Sequence, residues 1–418
     1  MNLIFSKNIP QLVALITREI TSREDKKTHW ARFKKQYDRE LCEILGVDPS
    51  WGIPAGSLLG FDVDEKRKLI LLNYSATAHN LLHEVDGGWT PVLRQLRGLV
   101  CCYENPGSVA GVKLVSRGFE KFFNQSEIPE TSIEKLSEAA DGRVVECTSK
   151  EDGHMIEYFV HERKLCATTR GKLNTPSAEG ALDMLSRGSF IRSGVVCKRF
   201  GKDLLSLVCE FVHPMTRVHV DYGDSKKLFL LEAYDVNGEP LGRNVLEEIA
   251  SEMPDVFVLP KVSYMTLEEL VYEINDRRVQ NREGWVAQIP SPAGGTRRVK
   301  FKYIAYIGEM VKSKLSYKYL MNCIKNDRLS KMLITLPEEI REVAYNMVSE
   351  IIGITNISVP DGKLGYRQLY SLYTPNEGGV EYFRSVCRMY YKEVVASGGK
   401  RIAVLLKGNT SYMDISSQ

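Results

Sequence analysis

Apolar residues recur at helical spacing over residues 9–21 and 23–45, which predicts two helices at the start of the chain. Acids and bases are interspersed through the second, so it reads as a helix facing solvent rather than one lying on a membrane surface. Pro49, Gly52, Pro54 and Gly56 then punctuate the chain. From Leu58 the pattern changes to short apolar runs between turn residues, which predicts strands at 69–73, 98–103 and 112–115. Val144 and Val145 begin another extended run and residues 155–160 form the next, with Gly153 breaking the chain between them. Residues 165–169, 204–214 and 228–235 continue the series, and Asn237 with Gly238 is a hairpin-turn dipeptide. Residues 267–277 read as a helix and 282–286 open a further strand. Over 297–303 the alternation is strict, sending Lys300 and Lys302 to one face and Val299, Phe301 and Tyr303 to the other. From Tyr306 the spacing is helical again, over 307–326, 337–352, 366–373 and 377–396, with Gly353 and Pro360 in the loop between the second and third of these.

A length of 418 residues suggests two or three domains, at about 100–200 residues each. The change to sustained helical patterning puts the boundary near Val311. The net charge of +3 announces no particular partner, but its distribution is uneven. Residues 311–418 hold 15 Lys+Arg against 10 Asp+Glu, a net of +5, so the last quarter is the basic part. No apolar run reaches membrane-spanning length, and Lys7, Asn8 and Pro10 stand where a signal peptide would be apolar. Nine cysteines, odd in number and without a C-x-x-C, fit reduced thiols in a cytoplasm. His79 with His83, and His213 with His219, lack the accompanying cysteines of a zinc finger.

The candidate chemistry centres on Lys150, in the series Lys150-Glu151-Asp152-Gly153 at the end of a predicted strand. A lysine held at a rigid strand end suits covalent nucleotidyl transfer, because its amine must shed a proton to attack phosphorus and neighbouring cations favour that. Alone, the same four residues describe a surface lysine in a hairpin turn. Glu210 interrupts an apolar strand, where a carboxylate is costly unless it pairs or binds a ligand, and Glu232 does the same in the next strand. Phe119-Glu120-Lys121-Phe122-Phe123-Asn124 sets a cation beside aromatic rings, either to grip a phosphate or as a core pair flanked by a surface lysine. Lys300 and Lys302 repel each other on one strand face, which suits either a solvated edge or an anion between them.

In order, K-E-D-G, E-F-V, E-G-W-V and V-K-F-K resemble the covalent nucleotidyltransferase superfamily of DNA ligases, RNA ligases and capping enzymes. The upstream R-G-L-V and K-F-F-N, with T-T-R-G after the lysine, make the chain similar to the phage RNA ligase 1 class, the tRNA-repair ligases. The motifs are individually short, and their order and spacing from Tyr74 to Tyr306 carry the resemblance. It implies that Lys150 forms a lysyl–AMP phosphoramidate, with Asp152 and Gly153 completing its motif. By the same resemblance Tyr74, Arg97, Lys121 and Arg170 would contact ATP and its phosphates, with Phe123 in the same element as Lys121. Arg170 stands where the phage prototype has a lysine, so the charge is kept but the geometry changes. Glu210 would meet the ribose hydroxyls, Glu283 would assist metal-dependent chemistry, and Lys300 and Lys302 would hold the α-phosphate, with Tyr306 just beyond.

The resulting expectation is an α+β protein. Residues 1–310 would form an adenylyltransferase domain, a nucleotidyltransferase (ATP-grasp-like ligase) domain of antiparallel sheets with flanking helices. Residues 311–418 would form a small, mostly α-helical domain able to bind RNA. The resemblance implies ATP as substrate, Mg²⁺ or Mn²⁺ with ligands unassigned, and RNA as partner, as single-stranded ends or a broken tRNA loop. It also admits an end-healing kinase/phosphatase as a companion, and it implies no membrane. A DNA ligase or capping guanylyltransferase would continue from V-K-F-K into a β-barrel, whereas this chain continues into helical patterning. A non-catalytic RNA-binding relative would have no reason to keep Lys150, Glu210, Glu283, Lys300 and Lys302 together.

Overall fold

A computed structural model describes residues 8–20, 33, 36–83, 85, 87–187, 190–291, 294–316 and scattered positions from 319 to 347. Contacts along the chain divide it into two compact units, Met1–Tyr306 and Ile307–Gln418. The first unit is α+β and is built on three sheets.

Two amphipathic helices open it, α1 (Asn8–Ile20) and α2 (Asp38–Leu45). α2 stops because Gly46 adopts a left-handed φ of 68° and its N–H caps the Cys42 carbonyl. α2 presents Arg39, Glu40 and Glu43 to solvent and buries Leu41, Cys42, Ile44 and Leu45 beside Leu12 and Ile16 of α1. Residues 21–32 of the expected second helix lie outside the described residues.

The first sheet is antiparallel, in the order β1 (Leu59–Asp64), β2 (Leu69–Tyr74), β3 (Arg97–Cys102), β4 (Lys113–Ser116). Both faces of β2 are covered, which is why its sequence is an unbroken L-I-L-L. Ile70 and Leu72 pack with the helix residues, while Leu69 and Leu71 pack with Phe159 and Cys166. Two short helices, α3 (Ala76–His83) and α4 (Pro91–Gln95), link β2 to β3. Thr90 caps α4 by accepting the Leu93 N–H.

The second sheet contains β5 (Phe123–Asn124), β6 (Val145–Lys150), β12 (Val262–Met265), β13 (Gly284–Pro290) and β14 (Thr296–Lys302), ordered β12-β6-β13-β14-β5. Its inner face is apolar, with Cys147, Trp285, Ala287, Val299 and Phe301 all buried. Helices α5 (Ile133–Ala140) and α9 (Leu267–Asn275) pack against β13 and β14 respectively. The third sheet runs β11 (Phe257–Val258), β10 (Lys227–Tyr234), β9 (Ser206–Val212), β7 (His154–His161), β8 (Lys164–Thr169). One face of it buries Ile156, Tyr158, Leu207, Cys209 and Leu230 with residues of α6 (Pro176–Arg187), α7 (Phe190–Arg199) and α8 (Arg243–Glu252). α10 (Ile304–Lys314) follows β14.

Six helices, α3 to α8, stand where the sequence pattern gives no expectation. Several are short, such as α5, which buries only Leu136 and Ala140. The helices expected at 366–373 and 377–396 lie outside the described residues, as do Tyr366, Tyr370 and Tyr373. Among the described residues, no helix is long and apolar enough to cross a membrane.

Candidate active site

Lys150 is the last residue of β6, and β7 begins four residues later in a different sheet. Lys-x-Asp-Gly is therefore no hairpin turn; it is the crossing point between two sheets. β13 pairs antiparallel with both β6 and β14, so Gly284 lies opposite Lys150 on one side and Lys302 on the other. A Cβ on Gly284 would collide with the Phe301 carbonyl, so this close strand approach requires glycine. Between the two lysines sits the carboxylate of the preceding residue. Glu283 Oε1 is 2.8 Å from Lys150 Nζ and 3.1 Å from Lys302 Nζ, and the glutamate is buried.

Asp152 anchors the crossing. Its Oδ2 accepts the backbone N–H groups of His219 (2.8 Å) and Val220 (2.7 Å), and its Oδ1 accepts the Tyr306 hydroxyl at 2.8 Å. Its own N–H donates to the Tyr222 hydroxyl, which donates in turn to Glu151 Oε2, both at 2.9 Å. The crossing segment Asp152-Gly153 is thus tied to residues 219–222 and to Tyr306. The Gly153 N–H donates to Glu210 Oε1 at 3.0 Å, bringing β9 to the same place. Burial pushes the Glu210 carboxyl up to about 7, with Lys150 opposing and Glu283 adding to the rise.

Lys300 shares the open face of β14 with Lys302, as strict alternation requires, while Val299, Phe301 and Tyr303 are buried. Lys302 Nζ lies 5.5 Å from the Tyr306 ring centroid and Lys300 Nζ 4.8 Å from that of Phe122. Phe122 also receives Arg97, at 5.6 Å, on the side of the first sheet. Arg97 Nη1 reaches Met155 Sδ at 3.2 Å, and among the described residues no carboxylate pairs with it. Arg170 Nη1 donates to the Tyr74 hydroxyl at 3.1 Å and lies 5.4 Å from that ring's centroid. Tyr74 and Arg170 thus come together, and Arg97 is close enough to act on both. The charge of Arg97 is influenced by both Tyr74 and Arg170, although burial is the larger effect and pulls its pKa down.

Lys121 and Phe123 stand differently from the expectation. Lys121 Nζ is 2.9 Å from Glu127 Oε1, its side chain is only 2% exposed, and it lies over the Trp89 and Phe123 rings. Its ammonium is thus ion-paired and enclosed by aromatic rings. Phe123 is buried edge-on to Trp89, and the ring that meets site cations is its neighbour Phe122. The backbone explains the exchange, because Phe123 pairs with Val299 on the buried face of β14. Glu232, the other acid flagged in a strand, pairs with Arg298 and is accounted for structurally.

Other residues of the site carried too little local signal. Tyr222 and His219 lie in a loop whose composition is unremarkable, and only the Asp152 bonds reveal them. Glu157 did carry a signal, an acid inside M-I-E-Y-F-V, of the kind that marks Glu210.

A family profile described as RNA ligase matches residues 95–306. An RNA ligase of Thermovibrio ammonificans is 30% identical over 200 residues, 48% of each chain, so the chain spans about half the length of that curated relative. Among solved structures, an archaeal ATP-dependent RNA ligase is 16% identical over 84% of this chain and 89% of its own, with a TM-score of 0.43. A Naegleria gruberi RNA ligase variant with ATP and Mn is 14% identical over 44% of this chain and 54% of its own, with a TM-score of 0.34. The chain belongs to the RNA ligase family, and within it is phage RNA ligase 1-like.

Proposed function

We propose that the protein joins RNA 5′-phosphate and 3′-hydroxyl ends at the expense of ATP, through AMP carried on Lys150. The observation that carries this reading is the row Lys150–Gly284–Lys302 with Glu283 between the lysines. Glu283 holds the Lys150 ammonium at 2.8 Å, within range to take its proton. The freed amine attacks the α-phosphorus of ATP, the N–P bond forms, and the bond to pyrophosphate breaks. Charge develops on the non-bridging and departing oxygens, and Lys300 and Lys302 stabilise it on the α-phosphate. Arg97 and Arg170, with the Tyr74 hydroxyl, take the β- and γ-phosphates; the half-buried Arg97 guanidinium pairs with no carboxylate among the described residues, which leaves its charge for an anion. Glu210 accepts from the ribose hydroxyls. Lys121 is assigned to packing.

Among the described residues no cluster of three or more acidic, histidine or cysteine side chains could hold a metal ion, so Mg²⁺ or Mn²⁺ would enter with the substrate phosphates and neutralise their charge there. AMP then passes to the 5′-phosphate of an RNA, forming an anhydride and freeing Lys150. The 3′-hydroxyl of a second end attacks that phosphorus and AMP leaves. Single-stranded ends, including those of a broken tRNA loop, are the substrate class, and the cytoplasm is the expected compartment. Incubation with radiolabelled ATP or GTP and Mg²⁺, followed by denaturing electrophoresis, tests the proposal. Stable labelling of the protein by ATP alone is expected. Absence of label, or equal label from GTP, would reject it.

A further inference from the structure

Glu157, on β7, is fully buried, and the proposed chemistry leaves it unused. Its Oε2 accepts the Ser116 hydroxyl at 2.7 Å, while among the described residues its Oε1 has no hydrogen-bond partner. Two glycines from separate segments make room for that oxygen. A Cβ on Gly98 of β3, or on Gly118 after β4, would collide with Glu157 Oε1, and Gly98 has a φ of +89° besides. The neighbourhood is cationic yet leaves the acid unpaired. Arg97 and Arg117 both act on it electrostatically, but Arg97 turns to Met155 and Phe122, and Arg117 to Glu120 and the Gly238 carbonyl. Two more buried oxygens lack partners here among the described residues. Thr168 Oγ1 stands opposite Glu157 on β8, and Asn73 Oδ1 opposite Arg97 on β2. Burial pushes the Glu157 carboxyl up to about 8, with Ser116, Arg97 and Arg117 opposing the rise.

We infer that Glu157 is a positioning residue for polyphosphate binding, acting through Arg97. Bearing a proton, it fills the notch between Gly98 and Gly118 and leaves the Arg97 charge to the ligand; ionised, it claims that charge for itself. The inference rests on the proposed role of Arg97 toward phosphate, and it adds an acid outside the motif series. A phosphate chain beside an unpaired buried carboxylate would be repelled, so the neutral acid is the form compatible with binding.

The test uses the full-length protein with inorganic tripolyphosphate as probe, so that it does not depend on adenylyl transfer. Binding is measured by calorimetry between pH 7 and 9.5 for the wild type, Glu157→Gln and Ser116→Ala, with thermal unfolding at each pH to confirm folding. The wild type is expected to lose affinity by roughly tenfold or more as Glu157 ionises, about tenfold per pH unit above its titration. Glu157→Gln, which keeps the shape without the charge, should hold its affinity across the range. Ser116→Ala removes a bond that favours the anion, so its loss should move to higher pH. Parallel curves for the wild type and Glu157→Gln would overturn the inference, as would an unshifted Ser116→Ala curve. If the expected pattern appears while ATP never labels the protein, the ligase proposal fails and the role of Glu157 stands.

Discussion

Asp152 and Tyr306 are 154 positions apart, yet the tyrosine hydroxyl donates to Asp152 Oδ1 at 2.8 Å. This bond joins the first residues after β6 to the start of α10, at opposite ends of the motif series. With the His219 and Val220 N–H groups on the other oxygen, it makes the aspartate of Lys-x-Asp-Gly an anchor. Tyr306→Phe should therefore destabilise the first unit by about 1–2 kcal/mol, the cost of removing a hydrogen bond to a buried carboxylate. Adenylylation should slow several-fold as the crossing loosens. Chemical denaturation and label transfer, read together, check both effects; unchanged stability would remove the anchor role.

Lys150 is needed as a nucleophile only to make the activated end. Lys150→Ala is expected to abolish transfer of label from ATP to the protein while leaving ligation of chemically pre-adenylylated RNA measurable. Covalent labelling of the variant would show that another residue carries AMP.

Lys300 and Lys302 share the open face of β14, and Lys302 also holds Glu283. Alanine at either position should cut the adenylylation rate by about 10²–10³, the loss of one donor aimed at developing charge. Circular dichroism should show an intact fold, since neither side chain belongs to the apolar face that carries Val299 and Phe301. Near-normal rates in both variants would return these lysines to an ordinary solvated strand.

Glu210 gives a pH dependence whose sign follows from its environment. Its carboxyl is raised to about 7 by burial, so between the ordinary range near 4.5 and that value the folded protein binds the extra proton. Its contribution to stability is therefore fully present at low pH and lost as pH rises through about 7. Ribose binding runs the other way, because the ionised carboxylate is the better acceptor for two hydroxyls. ATP affinity should rise through neutrality in the wild type, and Glu210→Gln should flatten that limb in a pH series of KM values. A limb that survives in Glu210→Gln belongs to another group.

The basic last quarter concerns RNA more than ATP. The ATP motifs end before it, and its excess of cations suits phosphate contacts. A chain ending at Lys312 should keep part of its self-adenylylation and ligate its preferred RNA more slowly or less selectively. Rates on tRNA-like stem-loops and on unstructured oligomers, compared between the two lengths of chain, test this. Equal rates and equal preference would make the region a structural support.

The sequence by itself determined whatever depends on local period and chain order. The alternation of β14 put Lys300 and Lys302 on one face before any partner strand was known, because successive side chains on a strand must point oppositely. The same period made Val299 and Phe301 core, and chain order put Lys150 at the end of an extended run. Tertiary structure decided every pairing across the chain. It sent β6 and β7 to different sheets, set one Glu283 oxygen between two lysines 152 positions apart, and gave the Lys121 charge to Glu127. It exchanged Phe123 for Phe122 at the cations and buried Glu157 against two distant glycines. A strand's own geometry chooses the face on which a side chain stands. Which groups meet it there depends on how separate sheets pack, and neighbours in sequence carry almost none of that information.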